Sequence, residues 1–176
     1  MEFNKPVSNP MLMGAIELMK AEDTPEHRNL FMDEVTKASF LSPAIIEPEP
    51  KENEEGELFI EKGSRVQFPM LSTNDGKRFF MAFTEEREYE KWVEKAPKKF
   101  PTFALTFDDY AAMILRKDPQ GNICPALGVV INPYGENVIL PREMLAGVMS
   151  SKIAYMQRKA GTKTDNTGLN NPSAEG

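Results

Sequence analysis

His27 is the one histidine of the chain and Cys124 the one cysteine. Any Ser-His-Asp relay, Cys-His pair or multi-histidine metal centre would therefore rest on a single side chain of its kind. His27 stands four residues before Phe31, on the flank of an apolar helical face, and that spacing reads as a partly buried structural imidazole. Cys124 lies between Ile123 and Pro125, with no helix start or cationic neighbour to activate its thiol, and reads as a small packed side chain. Carboxylate chemistry needs neither residue. Asp75, Glu85, Glu86, Asp108 and Asp109 fall in turns or first helical turns, from which acids can converge as general acid and base. Each also has a local use, in a turn, at the positive end of a helix dipole or in a cap.

Other chemistries lack their signatures. There is no Walker sequence and no three-glycine turn after a strand, so no nucleotide cofactor is expected. The acidic stretch Glu47 to Glu57 lacks the Asp/Asn spacing of an EF-hand and reads as a solvated loop, and no metal is expected there. The residues singled out as a ligand or partner surface are Phe83, Thr84 and Glu85 at a strand-to-helix junction, Asp108 at a helix start, and Asn132, Pro133 and Tyr134 in a turn. The methionines supply a second cue. Met11, Met13, Met19, Met144, Met149 and Met156 lie in the first and last helices, and adaptable methionine surfaces suit protein partners as well as cores.

These residues must be positioned by one domain. A chain of 176 residues, 40% hydrophobic and 27% charged, suits a single globular unit. The unit is expected over 1–160, followed by a polar, disordered tail over 161–176. A net charge of −6 disfavours nucleic acid and anionic membranes. The small basic group Lys95, Lys98 and Lys99 reads as a solvated loop. A lone cysteine fits a reducing compartment, Met1 to Pro10 has no export-signal layout, and no apolar run is long enough to span a bilayer, so the cytoplasm is expected.

Asn9-Pro10 and Thr24-Pro25 signal the starts of two helices forming a hairpin. Leu12, Ala15, Ile16 and Met19 face inward on the first, and Leu30, Phe31, Val35 and Ala38 on the second. Phe40 to Ile46 and Arg65 to Leu71 read as strands, the latter turning at Asn74-Asp75-Gly76 into a strand over Lys77 to Phe83. That strand has Phe79, Met81 and Phe83 on one face and Phe80 and Ala82 on the other, and is expected to be central. A helix carrying Tyr89 and Trp92 follows, then a strand near Phe103 and a helix opened by a Thr106/Asp109 capping box. Leu127 to Ile131 and Val138 to Leu140 form a second hairpin, and Pro141 opens the last helix. The fold expected is α/β with an α+β-like character: a mixed or antiparallel central sheet, an N-terminal helical hairpin and further packing helices.

Three stretches in this order, FFMAFTEEREYEKW at Phe79 to Trp92, LTFDDYAAMIL at Leu105 to Leu115 and GVVINPYGENVILPREML at Gly128 to Leu145, resemble the N-terminal domain of the SseB protein family. The strand-Phe-Thr-helix junction and the Ile-Asn-Pro turn are its most specific parts. The resemblance extends loosely over Ser8 to Met149. It implies a compact bacterial α/β domain of poorly defined role, associated by name with enhanced serine sensitivity, and it supplies no catalytic residues. Compared with longer members, the chain is expected to lack a second C-terminal domain, and it carries the acidic 47–57 segment. The function expected is a non-enzymatic interaction or regulatory module, with a protein partner or self-association. The alternative is a small-molecule-binding domain or a carboxylate-dependent enzyme.

Overall fold

The computed structural model describes residues 1–164. After a short β1 (Glu2–Phe3), Pro10 and Pro25 open α1 (Pro10–Ala21) and α2 (Pro25–Lys37), at positions where a missing N–H costs nothing. Thr24 caps α2 by accepting a hydrogen bond from the His27 N–H at 3.1 Å. Asn9 makes no side-chain cap on α1. Its amide instead donates to the carbonyls of Ser39 (2.8 Å) and Thr84 (2.7 Å), binding two distant segments. Leu12, Ala15 and Ile16 of α1 meet Phe31 and Val35 of α2 in the core. Leu30 is 38% exposed, being about 100° round the helix from Phe31.

The chain then forms β2 (Ser39–Pro43) and an excursion of short strands, β3 (Ile45–Glu47), β4 (Lys51–Glu52), β5 (Leu58–Phe59) and β6 (Arg65–Gln67). The acidic segment is thus not an open loop. Although exposed, it folds back as a hairpin, Lys51 opposite Phe59 and Glu52 opposite Leu58, and β3 pairs with β6 beneath it. Asn53 closes the turn by accepting from the N–H groups of Glu55 (3.0 Å) and Glu57 (2.8 Å). Strand pairing needs only backbone partners, so the polar composition did not prevent it. The stretch expected as one strand over Arg65 to Leu71 divides at Phe68-Pro69: β6 serves the excursion, and β7 (Met70–Ser72) serves the main sheet. Proline has no N–H with which to continue a ladder.

β7 turns through Gly76 (φ +80°) into β8 (Arg78–Ala82), Met70 pairing with Phe80 and Ser72 with Arg78. There follow α3 (Glu86–Val93), β9 (Thr102–Thr106), α4 (Phe107–Leu115), β10 (Gly128–Ile131), β11 (Val138–Pro141) and α5 (Arg142–Thr164). The Thr106/Asp109 capping box is complete on both sides. The sheet is mixed, in the order β11-β10-β8-β7, with β10 parallel to β8 and the other pairs antiparallel. A second sheet, β1-β9-β2, joins it where Leu41 and Phe83 exchange both backbone hydrogen bonds at 2.9 Å.

β8 is buried on both faces. Phe80 and Ala82 share a core with side chains of α1, α2, α4 and α5, whereas Phe79, Met81 and Phe83 pack with Tyr89 and Trp92 of α3. Among the described residues no helix is long and apolar enough to cross a membrane. The helix α5 runs to Thr164. From 165 onward the tail expected over 161–176 lies outside the described residues.

Two phenols make the packing sensitive to alkali. Burial pushes the Tyr89 hydroxyl up to about 12 and raises Tyr110 as well. Tyr110 donates to the Met81 carbonyl at 2.8 Å. A folded-state pKa above the unfolded value of 10.0 means that the neutral form is favoured by folding. The stability it contributes is therefore complete below pH 10 and lost as pH rises through about 12. Denaturant titration from neutral pH upward should show a flat profile that falls beyond pH 10, with a shallower fall in Tyr89→Phe.

Candidate functional site

β8 and β10 run parallel and end side by side, and the crevice beyond such ends is where open α/β sheets commonly bind ligands. Here the chain's own side chains occupy it. The Asn132 N–H extends the ladder to the Ala82 carbonyl at 2.9 Å. Its side-chain oxygen accepts from the Thr84 N–H (2.9 Å), and its amide donates to Thr84 Oγ1 (2.8 Å) and Glu136 Oε2 (2.7 Å). The Asn132 carbonyl accepts from Gly135 and Asn137 at 2.8 and 2.9 Å. With the Thr84 carbonyl held by Asn9, every polar atom of Thr84 is engaged, at 1% exposure for Thr84 and 0% for Asn132. Asn132 takes φ +46° and Asn137 φ +52°, a left-handed conformation that asparagine tolerates better than most residues.

Glu88 of α3 comes in from the side. It is 4% exposed. Its Oε1 accepts from Lys91 at 2.5 Å, while its Oε2 has no hydrogen-bond partner. That oxygen lies against Gly135, where an added methyl carbon would stand 2.4 Å from it. A side chain at Gly135 would require the Glu88 carboxylate to shift.

Of the residues singled out from sequence, Thr84 and Asn132 meet in this brace. Phe83 lies inside the core, its ring centroid 5.6 Å from Tyr89 and 6.1 Å from Trp92. Glu85 occupies the N-cap position of α3 without a side-chain cap bond. Pro133 is half-buried, and Tyr134 is exposed with Lys95 Nζ 5.6 Å from its ring centre. Asp108 is not part of the group; it pairs with Lys152 of α5 at 2.5 Å. The sequence reading missed Asn9, taken as a cap, and Glu88. The signal for Glu88 was available: it lies four residues before Trp92, an acid on an apolar helical face.

The acids do not assemble. Asp75 sits before β8, at the end of the strand opposite Thr84, and Lys77 and Thr73 hold its carboxyl down at about 2. Burial works to raise Asp109, but hydrogen bonds from Thr106 and the chain's terminal ammonium bring it below the usual range. Glu86 pairs with Lys99 at 3.6 Å. His27 is half-buried, its Nδ1 2.7 Å from the Glu22 carbonyl. Cys124 is a free thiol, in a segment clamped by Arg142, which donates to the carbonyls of Cys124 and Ala126. Among the described residues no cluster of three His, Cys, Asp or Glu side chains is placed to hold a metal ion.

The other notable surface is on α5. Leu145, Met149, Ile153 and Met156 follow one another at helical spacing. Leu145 is fully buried and Met149 half-buried, whereas Ile153 is 52% and Met156 67% exposed. Tyr155 beside them is also exposed. The stripe that anchors the helix therefore continues beyond the body. Of the six methionines of α1 and α5, Met11, Met144 and Met156 are exposed, and Met13, Met19 and Met149 pack at the margin of the core.

Compared with known proteins, the family model of the SseB protein N-terminal domain matches residues 12–147. No curated protein and no solved structure matches the chain.

Proposed function

Because this chain belongs to the family of SseB protein N-terminal domains, we propose that it acts as a non-enzymatic interaction module, binding a protein partner or a second copy of itself in the cytoplasm. The observation that carries this reading is the apolar stripe of α5, sunk into the body at Leu145 and bare at Ile153 and Met156. An isolated helical extension is marginal in water and gains most of its stability by packing an apolar face. The polar motif residues support the same reading, since Thr84 and Asn132 spend their hydrogen bonds on holding the fold together. The acids that carbon-acid or hydrolytic chemistry would need are dispersed, and those held below their usual range are poor proton donors at neutral pH.

The test is a pair of exposed substitutions, Ile153→Asp and Met156→Asp, in the full chain. Self-association is read by light scattering, and partner capture by quantitative mass spectrometry from the native cytoplasm. The double variant should keep its melting temperature and weaken association by roughly tenfold or more, as expected of apolar anchor residues. A wild-type chain that is monomeric and enriches nothing, or a variant that associates as well as wild type, overturns the reading.

A further inference from the structure

A cavity of about 490 Å³ opens on the α3 side of the molecule, between the start of α3, the loop leading into β9 and the excursion that follows β2. It is separate from the α5 stripe and from the Asn132 brace. Its accessible apolar floor comes from Ile45, Pro50, Leu58 and Phe100, which are half-buried or exposed, and its walls are tied together. The Ala44 N–H donates to the Pro101 carbonyl at 2.8 Å. The Tyr89 hydroxyl donates to the Phe100 carbonyl at 2.5 Å and accepts from the Phe100 N–H at 3.2 Å. The volume lies within the range of small-molecule sites, roughly 300–1,000 Å³.

Charge is placed only at the mouth. Lys98 pairs with Glu49 at 3.3 Å and Lys99 with Glu86 at 3.6 Å, and all four side chains are more than half exposed. Long, solvent-exposed ion pairs are weak, and exchanging one partner for another costs little. Lys98 Nζ also stands 5.5 Å from the centre of the Phe100 ring, at the border of the floor. Each lysine already holds a carboxylate, so an incoming carboxylate reproduces a contact the site makes with itself, while an apolar body attached to it gains the floor.

The geometry points to a binding site for a small amphipathic carboxylate, its apolar part on Ile45, Leu58 and Phe100 and its carboxylate between Lys98 and Lys99. Glu49 and Glu86 are then internal competitors for the same two cations.

The chain carries its own reporter. Trp92 is the single tryptophan, and its ring lies 5.6 Å from that of Phe100. The full chain is titrated with octanoate and, separately, with octan-1-ol, reading Trp92 fluorescence and heat. Octanoate should saturate, and the double variant Lys98→Gln/Lys99→Gln should bind it roughly tenfold more weakly while its octanol binding is unchanged. Glu49→Gln/Glu86→Gln should bind octanoate several-fold more tightly, because the competitors are gone. Absence of saturable binding by both readouts overturns the assignment. So does octanoate binding that ignores the lysine substitutions or merely equals that of octanol.

Discussion

Gly128→Ala is expected to destabilise the protein by about 3 kcal/mol or more, the upper range for forcing atoms into a packed interior. Gly128 begins β10 and lies opposite Pro141 of β11. A β-carbon there would stand 2.1 Å from the Leu140 carbonyl oxygen and 3.0 Å from Pro141 Cα. Both are backbone atoms, so no side chain can swing away; β11 itself must move. Movement of β11 pulls on the neighbouring helix, because the Arg142 N–H is bonded to the Leu127 carbonyl at 2.8 Å, and it disturbs the buried Leu140 and Leu145. In a domain of this size such a loss lowers the melting temperature by about 6–12 °C, readable by calorimetry. Gly147→Ala serves as the contrast. Its added carbon meets nothing within 4 Å, and alanine is the better helix former, so stability should hold or rise by up to about 1 kcal/mol. Equal melting temperatures for Gly128→Ala and wild type would show that the strands are not packed as described.

Asn132→Ala is expected to cost about 3–4 kcal/mol, from two sources that can be separated. The first is hydrogen bonding: the buried Thr84 N–H loses its acceptor, and a buried orphan donor costs about 1–3 kcal/mol. Thr84 Oγ1 and Glu136 also lose their donor. The second is backbone conformation, since alanine at φ +46° carries a left-handed penalty of about 1 kcal/mol that asparagine partly avoids. Asn132→Gly removes the second cost and keeps the first. It should therefore be more stable than Asn132→Ala by about 1 kcal/mol and still well below wild type. Denaturant titration of the three proteins decides. Glycine and alanine variants of equal stability would remove the backbone component, and an alanine variant within about 0.5 kcal/mol of wild type would remove the brace.

Much of the local structure is legible in the sequence. The Thr24 cap, the Thr106/Asp109 box and the Asn74-Asp75-Gly76 turn each involve partners within about four residues, so their spacing alone carries the signal. The central place of β8 was readable for another reason. A strand apolar on both faces has no face left for water, and Phe79 to Phe83 announce this directly. The excursion after β2 was misread because composition reports on side chains, whereas a two-stranded ribbon is held by backbone groups that composition does not describe. Its Leu58 also reaches the cavity on the α3 side, a position that no feature of its own segment suggests.

The candidate surface divides in the same way. Its Thr and Asn were picked out as a junction residue and a turn residue, with a ligand or partner in view for both. Only the parallel pairing of β10 with β8 brings Asn132 to Thr84, 48 positions earlier in the chain, and only the return of β2 beside Phe83 brings Asn9 to the Thr84 carbonyl. The absence of a legible histidine or cysteine site followed from composition, since one side chain of each kind supplies no constellation. The sequence by itself determined the elements, their caps and turns, and which strand is buried, because short-range hydrogen bonding and apolar periodicity act over a few residues. The tertiary structure alone decided that the polar motif residues brace the sheet, that the acids stay apart and that Lys98 and Lys99 line a cavity with Leu58 and Phe100, because those outcomes depend on which distant segments become neighbours.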